Sequence, residues 1–352
     1  MSASEAKVQE LVGKVVGDAG AAMTAALVHV GDQLGLWKGL AHGPQTPAEL
    51  AKRTGTAERY VREWLPAMAA AGYATWDAKA QRFSLTPEQA LAFAEEGSPA
   101  AMAGLFELIT AMFRAQPKIQ AAFKSGKGVG WHEHDACLFR GTERFFRPGY
   151  AANLISSWLP ALEGVQAKLE RGVSVADVGC GHGASTILMA QAFPRSRFTG
   201  FDYHAPSVEA ARSAAQAAGL GPERVKFEVS PAKAFPGTGY ALVTFFDCLH
   251  DMGDPVGAAA HVRQALAPDG TWMIVEPFAG DAIEQNLNPV GRVFYSASTM
   301  ICTPASLSQE VGLALGAQAG EKRLREVVQQ GGFSRFRRAT ETPFNLILEA
   351  RP

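Results

Sequence analysis

The run Val175–Gly183, Val-Ala-Asp-Val-Gly-Cys-Gly-His-Gly, constrains the fold of this chain more than any other stretch. An apolar segment ends in alternating glycines, and a helix-forming sequence follows. Glycine tolerates dihedrals that other residues avoid and puts no side chain between backbone and ligand. The helix behind it offers N–H groups with no partner inside the helix. A regular grammar comes next. Residues 197–202 predict a second strand, 206–218 a helix, 225–229 a third strand and 240–246 a fourth; 255–266 predict a helix and 270–275 a fifth strand. Strands alternating with helices imply a mostly parallel sheet covered on both faces. In the tail, 333–339 and 344–350 flank Thr342 and Pro343, which predicts a terminal hairpin.

Gly179, Gly181 and Ala184 satisfy the loose dinucleotide-loop pattern. Asp202 ends the second strand about 20 residues on, where a carboxylate accepts two ribose hydroxyls. The pair points to an adenosine-containing ligand. Asp177, just ahead of the glycines, would oppose a pyrophosphate and suits a ligand with cationic groups. S-adenosylmethionine (SAM) carries a sulfonium and an amino group and no phosphate. On Asp177, Gly179, Gly181, Gly183 and Asp202 the chain resembles the class I SAM-dependent methyltransferases.

That resemblance implies an α/β, Rossmann-like, seven-stranded sheet of order 3-2-1-4-5-7-6, with SAM as cofactor and S-adenosylhomocysteine as product. It places Asp177, Gly179, Cys180, Gly181 and Gly183 around the methionine part, and Asp202 with Tyr203 at the ribose. Asp247, Cys248 and, further upstream, Tyr150 are also expected at the cofactor. Many members carry an acidic residue after the third strand, beside the adenine. Here Ser230, Pro231 and Ala232 stand there, so either the Ser230 hydroxyl or the Ala232 N–H takes that contact.

The fourth strand runs into Asp247-Cys-Leu-His250-Asp251. Ligands of such sheets lie beyond the carboxyl ends of the strands, which puts His250 near the cofactor. A histidine there can take the proton of an attacking hydroxyl. The His250–Asp251 step is similar to that of the plant-type small-molecule O-methyltransferases. The likeness implies His250 as general base, with Asp251 beside it and Glu276, at the end of the fifth strand, orienting it. A thiol acceptor would need a base less.

The first half of the chain reads as helical. Residues 21–36 have helical spacing, Thr46 and Glu49 form a capping box ahead of a helix stopped by Gly55, and 57–71 predict a second helix. Residues 73–76 and 82–85 then predict a short hairpin. Helix, turn, helix, hairpin is the order of a winged helix. Arg59 and Arg62 on its second helix are offset by Glu58 and Glu63. Lys and Arg number 33 and Asp and Glu 34, a net charge of -1, so nucleic acid is an unfavoured partner. The expected domains are 1–98, winged helix and dimerisation; 99–165, a helical linker and active-site cover with a kink or break at Pro117; and 166–352, the methyltransferase domain with a substrate insertion at about 277–320. The whole chain resembles a bacterial group that joins these two domains.

Trp131, His132, His134, Phe146 and Arg147, with Asn286, Asn288, Arg292 and Tyr295 in the insertion, are candidate substrate residues. Phe146, Arg147 and Tyr150 precede the glycine strand, where winged-helix methyltransferases often close the cofactor site. His132, His134 and Cys137 lack an evident fourth ligand, so no metal is expected. The 4 cysteines are widely spaced and do not match the arsenite methyltransferases; a reducing cytoplasm fits them. The N-terminus lacks the pattern of a signal peptide, and the apolar stretch at 19–30 is too short to cross a bilayer. The expected partners are a small-molecule substrate and a second copy of the chain. The rival readings are a regulator that senses SAM without turnover, a thiol or amine methyltransferase, and a nicotinamide-dependent oxidoreductase, against which Asp177 speaks.

Overall fold

A computed structural model describes residues 4–352. Met1–Ala3, part of the stretch read for a targeting signal, lie outside the described residues. The chain divides into two compact units, 1–111 with 140–148, and 112–139 with 149–352. The segment 99–165, expected as a separate linker and cover, is therefore shared between them, and the helices α6 and α7 below contribute residues to both.

In the first unit the helix order is α1 (Glu5–Gln33), α2 (Leu36–Leu40), α3 (Pro47–Thr54) and α4 (Glu58–Ala70). Then come β1 (Thr75–Asp77), β2 (Arg82–Ser84), α5 (Pro87–Phe93) and the start of α6 (Ala103–Ser125). The capping box is present: Thr46 Oγ1 accepts from the Glu49 N–H, and the Thr46 N–H donates to Glu49. Gly55 stops α3 in the left-handed region, at φ 68°. Val61, Leu65 and Met68 of α4 are buried, with Trp37 and Trp64 edge to face at 4.7 Å. Both indoles donate to carbonyls of α1, at Val28 and Leu27. α1 is longer than its spacing suggested and buries only Ala25, Val28 and Gly31. By length and composition it can cross a bilayer, which corrects the shorter stretch read from the sequence. α6 runs through Pro117 as one helix.

The second unit carries α7 (Ala136–Asn153), α8 (Val165–Arg171), β3 (Ser174–Val178), α9 (Ala184–Ala192), β4 (Arg197–Asp202), α10 (Ala205–Ala217), β5 (Val225–Val229) and β6 (Tyr240–Phe246). α11 (Pro255–Ala265), β7 (Leu266–Pro277), α12 (Pro289–Ala297), α13 (Thr303–Leu307), α14 (Gly320–Gln330), β8 (Arg335–Glu341) and β9 (Asn345–Arg351) follow. The sheet order is β5-β4-β3-β6-β7-β9-β8, the expected 3-2-1-4-5-7-6 counted from β3. β9 pairs antiparallel with β7 and β8; the other neighbours are parallel. Asp177 lies level with Gly200 on β4 and Thr244 on β6, so the strands end together and their following loops share one edge. β7 begins at Leu266, earlier than its apolar run suggests, because Tyr240 pairs with Leu266 across a bulge. Trp272 is fully buried, with Phe245 and Phe333 at 5.0 and 5.2 Å, and anchors the core under that edge. The stretch 131–150 is a single 3-10 turn, Trp131–Glu133, followed by α7.

Candidate active site

The glycine turn is built from two sides. The N–H groups of Gly179 and Cys180 donate to the Phe201 carbonyl, and the Gly181 N–H donates to Asp202 Oδ2 at 2.9 Å. Gly179, Gly181 and Gly183 all have positive φ, 73°, 52° and 81°. A Cβ at Gly179 would meet the Cys248 sulfur at 2.7 Å, and one at Gly183 the Phe227 ring at 2.7 Å. The same ring would lie 2.5 Å from a Cβ at Gly200. At Gly181 a Cβ would meet nothing within 4 Å, so the apex of the turn faces open space. The open apex, together with a carboxylate at the end of β4, fits an adenosyl ligand.

Asp177 does not face that space. It is 1% exposed and accepts from Ser185 Oγ at 2.7 Å, Thr186 Oγ1 at 2.6 Å and Thr244 Oγ1 at 2.9 Å. Burial raises its pKa to about 6, although the three hydroxyls pull it down. Its side chain fastens β3, β6 and the start of α9 together. Asp202 takes the His204 N–H at 2.8 Å on its other oxygen, and burial raises its pKa too. The Ser230 N–H donates to the Asp202 carbonyl at 2.9 Å, which places Ser230, Pro231 and Ala232 beside the end of β4. Tyr203 is half exposed, and burial of its hydroxyl raises its pKa. Cys180 is buried under the turn, and Cys248 donates to the Val178 carbonyl at 3.4 Å. Both thiols are shifted well up by burial and act as packing groups.

Asp247, at the end of β6, sits at φ 50°, a left-handed conformation that aspartate tolerates better than most residues. Its carboxylate accepts from Tyr150 Oη at 2.7 Å and from Asn345 Nδ2 at 2.9 Å. Burial raises its pKa to about 7. Asn345 enters because β9 runs back along β7 and pairs it with Pro277; no local motif in the sequence marks it. On the far side Trp131 Nε1 donates to Asp251 Oδ2 at 2.7 Å. Burial raises Asp251 to about 6. Phe139 stacks on His204 at 4.3 Å, so the turn before α7 and the first turn of α7 close over the same strand ends.

His250 follows in a short turn, Leu249–Asp251, and is 4% exposed. Its Nδ1 lies 2.6 Å from Glu276 Oε2, and the other Glu276 oxygen accepts the Leu249 N–H at 3.0 Å. Burial alone would lower the imidazole pKa. The Glu276 charge outweighs it, with help from Cys302, and the pKa lies well above its usual value. The imidazole's other nitrogen, Nε2, is 3.3 Å from Cys302 Sγ.

Several expected substrate residues have other work. The Asn286 amide closes its own loop on Gly280 and Ala282, and Asn288 caps α12 by accepting the Gly291 N–H. Both side chains make their hydrogen bonds within their own loop and helix start, as Asn does in turns and caps. Arg292 and Tyr295 lie on the exposed side of α12. Phe146 and Arg147 belong to the first unit, where Arg147 pairs with Glu143 and Glu96. His132 is exposed and His134 buried, and no cluster of three His, Cys, Asp or Glu fit for a metal occurs among the described residues.

Residues 169–332 match the family model of a methyltransferase domain, and 22–94 that of the Rv2258c-like winged HTH domain. Trans-aconitate 2-methyltransferase of Paracidovorax citrulli (strain AAC00-1) is 34% identical over 103 residues, 29% of this chain. The match spans 38% of that enzyme's length. Human N-acetylserotonin methyltransferase, solved with SAM, superposes with a TM-score of 0.74 at 16% identity, covering 100% of this chain and 99% of its own. The mitomycin 7-O-methyltransferase MmcR gives 0.71 at 19%, covering 99% and 98%. At such identities the two structures establish a shared fold. With the strand order and the glycine turn, these matches show that the chain carries a class I SAM-dependent methyltransferase domain with a winged-HTH domain ahead of it.

Proposed function

We propose that the protein methylates a hydroxyl oxygen of a small-molecule acceptor, with His250 as general base and Glu276 as the residue that orients it. The observation that carries this reading is the buried His250–Glu276 pair at the carboxyl ends of β6 and β7. SAM supplies an electrophilic methyl group on a sulfonium. Asp202 would hold the ribose hydroxyls, and the turn 179–183 the methionine part. Glu276 holds the Nδ1 proton, which leaves Nε2 to receive the acceptor's proton. A thiol acceptor would have little use for such a base. The solved relatives named for small-molecule acceptors support the substrate class.

Calorimetry with S-adenosylhomocysteine tests the cofactor site. Saturable binding is expected, and Asp202→Ala should abolish it, with NAD failing to bind. A folded, ligand-free protein that takes up no S-adenosylhomocysteine would sink the reading. Steep, salt-dependent DNA binding would favour the regulator instead. Against that outcome, Arg59 and Arg62 are already paired with Glu63 and Glu58 on α4.

We also infer a homodimer. Leu11, Val12, Val15, Val16, Met23 and Leu27 lie exposed along α1, an apolar stripe at helical spacing. Leu11→Glu with Val15→Glu is expected to turn a dimer into a monomer in sedimentation. An unchanged mass, or recovery of the native protein on lipid vesicles, would overturn the second-copy reading of α1.

A further inference from the structure

The nitrogen that must receive the acceptor's proton already has a partner. Cys302 Sγ stands 3.3 Å from His250 Nε2, and both side chains are buried. An imidazole nitrogen has one in-plane site, used either as N–H or as lone pair. It serves Cys302 or an acceptor, not both.

The contact is held in place by the fold. Cys302 ends a π-helical turn, Ser298–Cys302, a deformation often found at functional sites. Ser298 fixes the start of that turn by accepting the Ala317 N–H at 3.0 Å. Just beyond it, Ser306 Oγ donates to the Met252 carbonyl at 2.8 Å. Gln309 takes the Gly253 N–H at 3.0 Å and donates to the Asp251 carbonyl at 3.1 Å. The Gly316 N–H donates to the carbonyl of His250 itself at 3.2 Å. The insertion is therefore laced to the turn that carries the base, and Cys302 is the side chain it sets on the ring.

We propose that Cys302 is a positioning and specificity-determining residue that holds His250 Nε2 until the acceptor's hydroxyl displaces it. The inference rests on the reading of His250 as base. Burial pushes the Cys302 thiol up, so it is a neutral thiol at neutral pH. When the imidazole is neutral, S–H donates to Nε2; when it is protonated, Nε2–H donates to sulfur. Sulfur makes a weak hydrogen bond in either sense. The ring is kept in register with Glu276, and a hydroxyl that forms a stronger bond replaces the thiol at small cost. An acceptor that cannot offer an O–H to Nε2 leaves Cys302 in place.

The test uses full-length protein labelled with 15N-histidine and saturated with S-adenosylhomocysteine, with phenol as the hydroxyl probe. The readouts are the His250 ring resonances and the phenol affinity. In the wild type, phenol is expected to shift the Nε2 resonance. Cys302→Ala should move that resonance before phenol is added and tighten phenol binding about threefold to tenfold. Cys302→Ser should fall between the two. Unchanged S-adenosylhomocysteine affinity certifies the fold of each variant. A ring signal that Cys302→Ala leaves unmoved, equal phenol affinity in all three proteins, or no response to phenol overturns the proposal. Failure of the base reading looks different: His250→Ala would keep turnover, while the ring signal of the parent still responds to Cys302.

Discussion

His250→Ala is expected to cut kcat by about 10² to 10⁴ for any hydroxyl acceptor, with S-adenosylhomocysteine affinity preserved. The split follows from the structure, because the cofactor turn and Asp202 do not hydrogen-bond to the imidazole. In the native enzyme the pH profile carries a second signature. A protonated imidazole cannot take a proton, so kcat/KM should rise with pH and level off above the His250 pKa. That midpoint should lie above the usual histidine value, since the charges facing the ring are acidic. Those charges are Glu276 from β7, Asp251 from the ring's own turn and Asp247 from the end of β6, while the neutral Cys302 thiol comes from the insertion. Glu276→Gln should move the midpoint down. Full turnover by His250→Ala, or a flat profile, would remove the base.

Glu276→Ala is expected to be the most damaging single change to stability near the site. Glu276 is 1% exposed and answers both His250 Nδ1 and the Leu249 N–H. Its loss leaves two buried donors without an acceptor and an imidazole without its counter-charge. Breaking a buried pair in this way costs about 3 to 5 kcal/mol. Denaturant unfolding followed by tryptophan fluorescence should show a lower midpoint with little change in slope. Glu276→Gln keeps an acceptor and should lose much less. Equal midpoints for native protein and Glu276→Ala would mean that the pair is not closed in solution.

The centre of the sheet was legible because β3, β4 and β6 are short, mostly apolar runs closed by a glycine or an aspartate, and because helices follow each of them. The glycine turn and Asp202 were legible from the dinucleotide-loop spacing, His250 from the rule that ligands gather at carboxyl ends, and Glu276 from the likeness to the plant-type O-methyltransferases. What escaped was long-range. Asp177 carries the family signature, yet only the register with Thr244 shows that its oxygens are consumed inside the protein. Asn345 reaches Asp247 through an antiparallel strand that returns from the far end of the chain. Cys302 stands on the His250 ring through packing of the insertion, for which sequence spacing holds no signal. The local bonds of Asn286 and Asn288 were not legible for the opposite reason: a polar side chain in a loop after a strand serves a turn as readily as a substrate.

Phe227 has an effect beyond its own strand. Its ring fills the places that side chains at Gly183 and Gly200 would take, one in the cofactor turn and one in the neighbouring strand. These three positions share one parcel of volume. The height of the cofactor turn is thus set by an aromatic ring on β5 as well as by the glycines. An engineer who wishes to lower or raise the floor beneath a modified cofactor should begin at Phe227, where size can be traded without asking a residue with a side chain to adopt a glycine's backbone.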